Sequence, residues 1–253
     1  ILTGGYDGTV EELYFFNGAA ALARGYNVLA FDGPGQGGVL LQRGITLRPD
    51  WENVITPVVD FALARSDVAP DRIALIGLSL GGYLAPRAAS GEHRLAACIA
   101  DCGAYDIYSA FQGHLPGPLA SGFAHGNTVA TAAVHKILES MAKKPTAGWA
   151  LRRGLQVHGV PDLPALVEDW KRFTLAGRAE KITCPTWVCN AEGDDISASA
   201  PRLVEELTCE KELVTFTAAE GAGDHCEAGA RLLYHAPSFS WLDARPPPQG
   251  VGG

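Results

Sequence analysis

The sequence predicts an α/β fold, a mostly parallel sheet with helices on both faces. Three observations carry that prediction. Short apolar runs alternate with longer amphipathic ones, the pattern of strands joined by covering helices. Of 253 residues, 47% are hydrophobic and 19% charged, enough apolar material for one large core and far from the composition of disorder. Thirty glycines, above the average share, supply tight turns between elements.

Each element follows from its own pattern. The runs at 1–3, 27–31, 72–77, 96–100, 186–189 and 213–216 read as strands, being short, apolar and bounded by turn residues. Between the first two, Thr9-Val10-Glu11-Glu12 has the form of a capping box, with Leu13, Phe16, Ala20 and Ala23 following at helical spacing. A second helix is expected over 51–64, ending before Pro70. The strand at 72–77 leads into a helical run over 83–89, where Pro86 lacks an N–H and is expected to kink the axis. From Gly103 to about Gly177 the strand rhythm stops. Helix-like stretches at 128–141 and 162–174 lie there, with breaks such as Leu115-Pro116-Gly117-Pro118. An insertion of that size after a strand reads as a lid. The expected organisation is a first core part at 1–102, a helical cap at 103–178, a second core part at 179–244 and a flexible tail at 245–253.

Charge and cysteine usage narrow the function classes. Twenty basic side chains against 28 acidic ones give a net charge of −8, so no basic patch is offered to a phosphate backbone. No apolar run reaches the roughly 18–20 residues that span a bilayer. The six cysteines show no CxxC pair and no zinc-like spacing, and several sit in apolar stretches, so free buried thiols and a cytoplasmic location are expected. No cofactor and no metal are expected. The one methionine is Met141 and the chain opens on Ile1, which is not a translation start.

Gly77-Leu78-Ser79-Leu80-Gly81 is a G-x-S-x-G pentapeptide between a predicted strand and a predicted helix. Such a turn strains the serine backbone, and small residues two positions away leave room for the crossing. The helix N-terminus then aims free N–H groups at a developing oxyanion. A serine nucleophile needs a base and an orienting acid, in the order Ser, Asp/Glu, His. Among seven histidines, His225 lies just past the last predicted strand, at the carboxyl end of the sheet where α/β sites assemble. His235 reads as packing or surface; His93 falls near a turn, and His114, His125, His135 and His158 fall in the insertion. Asp194 and Asp195 both follow the strand at 186–189, while Asp101 and Asp106 follow an earlier one, and the residues alone leave these four open as the acid. The oxyanion donors expected are the N–H of Leu80 and, from the Gly4-Gly5-Tyr6-Asp7 loop, that of Tyr6, with Gly5 as the alternative. Tyr105, Tyr108, Phe111, Phe123, Trp149 and Trp170 are the aromatics available to a pocket, though most read as core.

Gly33-Pro34-Gly35-Gln36-Gly37-Gly38 fits the G-x-G-x-x-G dinucleotide fingerprint after a strand. That fingerprint needs a long helix opening inside the glycine run, and here Gly44 and Pro49 follow too soon. Asp32 also puts a negative charge ahead of the would-be phosphate site, so the run reads as a structural loop bordering the site.

Together these residues resemble the α/β-hydrolase superfamily over nearly the whole chain. Phe31-Asp32-Gly33-Pro34-Gly35-Gln36-Gly37 is similar to that superfamily's loop after its fourth strand. Gly4-Gly5-Tyr6-Asp7, the segment from Gly77 to Ala89, Gly223-Asp224-His225-Cys226 and Trp241-Leu242-Asp243 resemble the branch of 2,6-dihydroxypseudooxynicotine hydrolase and the fungal polyketide-shortening hydrolases of pigment synthesis. The resemblance implies cleavage of an ester or of a carbon–carbon bond next to a ketone, and it selects Asp194, in Asn190-Ala191-Glu192-Gly193-Asp194, as the acid. It also implies eight strands and a helical region ahead of Ile1. The nicotine enzyme uses an additional glutamate after the strand that follows the nucleophile helix, whereas this chain has none from Gly103 to His125.

The function expected is a cofactor-independent serine hydrolase with Ser79, His225 and Asp194 as its triad. Its partner would be a small-molecule carbonyl substrate, not nucleic acid or membrane, and a homodimer is left open. A prolyl-oligopeptidase-like serine peptidase shares the triad order and is the alternative among hydrolases. From other classes, a nucleotide-binding oxidoreductase using Gly33 to Gly38 and a non-catalytic binding protein on a hydrolase fold stand beside it.

Overall fold

Six strands, β1 (Leu2–Thr3), β2 (Ala30–Phe31), β3 (Ala74–Leu78), β4 (Ala97–Asp101), β5 (Thr186–Ala191) and β6 (Lys211–Phe216), form one parallel sheet in the order β2-β1-β3-β4-β5-β6. The computed structural model describes residues 1–245; positions 246–253 of the expected tail lie outside the described residues. Each strand falls on an expected run, with β1 and β2 cut to two residues each. From β1 the order first steps outward to β2, then runs the other way from β3 to β6. That reversal between β1 and β3 is a topological switch point, where loops at the carboxyl ends diverge and leave a crevice.

Strand side chains alternate between the two faces. Leu75, Cys98 and Val188 join a core with Trp51, Ile55, Tyr83 and Leu84 from helices Glu52–Leu63 and Gly81–Ala89 and their margins. Ile76, Ile99 and Trp187 face Leu13, Tyr234 and Phe239 on the other side. Both faces are therefore dry, as a parallel sheet requires.

The first helix runs from Val10 to Ala23 but contains a π-helical turn, Tyr14–Gly18. Thr9 stands at its N-cap in extended conformation, yet its side chain makes no cap bond. The expected capping box is thus absent there. One forms instead at Thr217 and Glu220, after β6. Helix Gly81–Ala89 continues past Pro86 for three residues. The segment after the second strand yields only the short helix Gly37–Arg43, closed by Gly44 in the left-handed conformation.

Between β4 and β5 the chain forms five helices: Ile107–Gly113, Gly117–Ala124, Thr128–Met141, Pro145–His158 and Leu163–Trp170. The third was expected with these bounds; the fourth, fourteen residues long, was not. Two of its buried positions are glycines, Gly148 and Gly154, which carry no apolar signal. These helices enclose a separate apolar cluster that includes Phe111, Phe123, Val134, Leu138 and Leu166. Among the described residues no helix is long and apolar enough to cross a membrane.

The strand–helix crossing after β3 leaves no room for a side chain at Gly77, where a Cβ would lie 1.9 Å from the Gly81 carbonyl oxygen. Because that obstacle is backbone, Gly77→Ala is expected to destabilise the fold by about 2 kcal/mol or more, seen as a lower urea midpoint with an unchanged slope.

Candidate active site

The carboxyl ends of β1, β3, β4, β5 and β6 bring the expected site residues into one place. Ser79 opens the turn after β3 with φ 64°, the left-handed conformation that lifts its side chain clear of the sheet. Its Oγ lies 2.9 Å from His225 Nε2. The other imidazole nitrogen, Nδ1, lies 3.0 Å from Asp194 Oδ2. Asp194 is buried, and its second oxygen accepts the Ile196 N–H at 3.1 Å. Asp195 points outward, its side chain 76% exposed, with His114 at 3.7 Å. The neighbouring acids are thus separated by geometry. Asp101 is buried in a different ion pair, and Asp106 caps helix Ile107–Gly113 through Ser109.

Burial favours a neutral His225, but the Asp194 carboxylate outweighs it and, with the nearby Cys226, holds the imidazole pKa above its ordinary value. Burial would likewise raise Asp194; the imidazole, the Cys102 thiol and the Ile196 N–H together hold it below the usual carboxylate range.

The β1 loop packs onto the turn that carries Ser79. A Cβ on Gly5 would stand 2.7 Å from the Leu80 nitrogen, so only glycine allows that approach. The N–H groups of Leu80 and Tyr6 donate to no backbone carbonyl and to no side chain among the described residues. Gln36 fixes this loop from the side. Its Nε2 donates to the carbonyls of Gly4 (2.7 Å) and Gly5 (3.2 Å), and its Oε1 accepts the Gly33 N–H at 2.9 Å. In the same run the Asp32 carboxylate accepts the Gly38 N–H at 2.9 Å, occupying the place a pyrophosphate would need. The glycine-rich run therefore buttresses the β1 loop.

Tyr6 also reaches into the insertion, where its hydroxyl donates to Ala150 O at 3.1 Å. The aromatics expected for a pocket lie elsewhere. Tyr105 is buried in the main core with its hydroxyl on Glu206, Phe111 and Phe123 fill the insertion's own core, Trp170 packs on Phe111, Tyr108 lies under Lys171, and Trp149 is half exposed. The remaining histidines are engaged locally: His93 with Thr183, His125 with Ser121, His158 with Asp169 and His235 with Phe16, while His135 rides on helix Thr128–Met141.

Three features escaped the sequence. Cys102, at φ 65°, donates to Asp194 Oδ2 at 2.7 Å and lies 3.3 Å from His225 Nδ1. Cys226 and Glu227, next to His225, adopt φ 53° and 47°. Arg231 clamps that strained loop, its Nη1 shared among Cys226 O (2.7 Å), Glu227 Oε2 (3.0 Å) and Asp101 Oδ2 (2.8 Å) and its Nη2 donating to Asn17 Oδ1 (2.8 Å). Asn17 is presented by the π turn. Only the four-residue spacing of Glu227 and Arg231 hinted at this cluster; its other members come from 17 and 101.

Burial first, and then the charge of Asp101, push Glu227 up to about 9. The folded chain thus keeps a proton that the unfolded chain loses from about pH 4.5 upward. The stability this supplies is full below the unfolded pKa and lost as pH rises through the folded one. Glu227→Gln, which keeps the group neutral, is expected to match the parent at about pH 4 and exceed it at about pH 9 in urea titrations.

The sequence profile of the alpha/beta hydrolase family matches residues 4–240. The chain is 34% identical to hydrolase acrC of Aspergillus aculeatus, over 96% of this chain and 59% of that one. It is 36% identical to 20-hydroxy-prefusarin hydrolase FUS2 of Gibberella moniliformis, over 96% and 60%. The crystal structure of 2,6-dihydroxy-pseudo-oxynicotine hydrolase superposes with a TM-score of 0.72 at 24% identity, covering 95% of this chain and 58% of that one. The chain thus spans about three fifths of the length of these proteins.

Proposed function

The chain belongs to the alpha/beta hydrolase family, and on that premise we propose that it is the catalytic part of a serine hydrolase acting on a small-molecule carbonyl compound. Ser79 is the nucleophile, His225 the general base and Asp194 the acid that orients it. The observation that carries this reading is the approach of Ser79 Oγ to His225 Nε2 (2.9 Å) and of His225 Nδ1 to Asp194 Oδ2 (3.0 Å).

Ser79 Oγ attacks the carbonyl carbon as its proton passes to His225 Nε2. The oxyanion is received by the N–H groups of Leu80 and Tyr6, which have no competing partner. The imidazolium, steadied by Asp194, gives its proton to the leaving group, leaving an acyl-Ser79. Water then attacks with His225 again as base, releasing the acid and regenerating the serine. For an ester the leaving group is an alkoxide. For a carbon–carbon bond next to a ketone it is a carbanion, protonated at carbon by the same imidazolium. The relatives named for 20-hydroxy-prefusarin and 2,6-dihydroxy-pseudo-oxynicotine make both bond types reasonable to assay. The helical insertion, joined to the β1 loop through Tyr6, covers the site and selects the substrate.

A fluorophosphonate is expected to label the protein and to leave Ser79→Ala unlabelled. Asp194→Asn should lower kcat for a simple ester by on the order of 10⁴-fold, and Asp195→Asn should leave it nearly unchanged. Labelling that survives in Ser79→Ala, or loss confined to Asp195→Asn, would sink the assignment. Because the base must be neutral and its pKa is raised, kcat/KM should fall on the acid side from a pH above the ordinary histidine value. Gln36→Leu removes the support of the β1 loop, and steady-state kinetics should show kcat down about 10–100-fold with KM little changed.

A further inference from the structure

Two thiols flank the triad, and neither is needed for the hydrolytic scheme. Cys102 comes from the end of β4 and Cys226 directly follows His225, 124 residues further along the chain, so no sequence spacing joins them. In the fold, Cys102 Sγ, Cys226 Sγ and a His225 ring nitrogen lie within 4.8 Å of one another. Cys102 Sγ is 3.3 Å from His225 Nδ1 and 2.7 Å from Asp194 Oδ2, which is itself 3.0 Å from that nitrogen. The donors are therefore two sulfurs, one imidazole nitrogen and one carboxylate oxygen, held by three strand-end loops.

This set has the chemistry of a tetrahedral zinc site. Zinc takes Cys sulfur at about 2.3 Å and His nitrogen or carboxylate oxygen at about 2.0–2.2 Å, which separates neighbouring ligand atoms by roughly 3.5 Å. Cys102, Cys226 and His225 already lie within 4.8 Å of one another, and Asp194 Oδ2 stands beside the Cys102 sulfur and the His225 nitrogen, where it can complete the set. The thiols are buried, but the His225 side chain is 40% exposed and opens a route from the crevice. Both cysteines hold left-handed backbone conformations, so each thiol is set by strained main chain.

We propose that Cys102, Cys226 and His225, completed by Asp194, bind a thiophilic divalent cation of the zinc class, and that the bound cation silences the triad. Two thiol protons leave to solvent as the metal–sulfur bonds form. The metal takes the lone pair of Nδ1, so the imidazole proton resides on Nε2. Nε2 is then a donor and cannot accept the proton of Ser79 Oγ. Hard cations such as magnesium and calcium, which prefer all-oxygen sites, are not held. The effect on activity rests on the hydrolase reading above; the binding does not.

The test therefore reads binding apart from turnover. Cobalt(II) is titrated into the parent chain and into Ser79→Ala, and zinc affinity is measured by competition with a chromophoric chelator. One equivalent should bind both proteins, with thiolate-to-cobalt charge-transfer absorption and a zinc affinity in the micromolar range or tighter. Cys226→Ala and Cys102→Ala should each weaken binding by about 100-fold or more. Absence of the charge-transfer band, or an affinity unchanged from the parent in either cysteine variant, overturns the site. If those variants do not fold, zinc-edge absorption spectroscopy of the parent decides: sulfur neighbours support the site, and a shell of light atoms alone refutes it. Zinc should also inhibit ester turnover by the parent, reversibly on adding EDTA. Turnover that persists with zinc bound overturns the silencing, whereas a metal-free parent with no turnover but intact cobalt spectra refutes the hydrolase reading and leaves the site standing.

Discussion

The largely buried guanidinium of Arg231 is the interaction on which the candidate site depends. It joins the π turn of the first helix, the end of β4 and the loop that carries His225, and its plane stacks on Tyr234, 4.0 Å from the ring centroid. Taking such a charge out of water costs several kcal/mol unless it is paired and hydrogen-bonded. Asp101 supplies the opposite charge, while Asn17, Glu227 and the Cys226 carbonyl supply acceptors. The π turn has a reason in this arrangement, because it holds Asn17, 1% exposed, against the guanidinium.

That clamp lets the backbone do something costly nearby. Among the described residues, the non-glycine positions with positive φ are Ser79, Cys102, Cys226 and Glu227. All four lie on or beside the relay from Ser79 to Asp194. Each such residue costs about 1–3 kcal/mol and persists only where its surroundings over-determine it. Tight packing of β1 against the Ser79 turn holds one of them, and Arg231 holds the loop with two more. Strain gathered this way goes with a fixed placement of the imidazole and the serine.

Much of this architecture was legible in the residues. The six strands were readable because each is a short apolar run closed by turn residues, and the Ser79 turn was readable because its glycines are demanded by backbone contact. His225 and Asp194 could be placed at strand ends. Choosing Asp194 over Asp195 took a resemblance, since both follow the same strand and differ only in which way the chain turns. What stayed hidden depends on partners distant in sequence. Arg231 meets Asp101 and Asn17 across more than a hundred residues, and Cys102 meets Cys226 likewise. The Thr9 box misled because its local pattern lacks the side-chain bond that defines it, while helix Pro145–His158 places glycines at two of its buried positions, 148 and 154, where no apolar side chain marks the period. Aromatics that composition offers to a pocket went instead to cores.

Tyr6 occupies an unusual position, its N–H without a hydrogen-bond partner among the described residues and its hydroxyl seated against Ala150 O of helix Pro145–His158. The seat exists because residue 154 is glycine; a Cβ there would fall 2.1 Å from the Tyr6 oxygen. On the proposed reading the insertion selects the substrate, so it is the segment to exchange when a new specificity is sought. That segment is not free-standing. A transplanted segment must bring its own recess for the Tyr6 ring, or the recipient must be re-cut at position 6, so recombination would succeed only when the two stretches travel together.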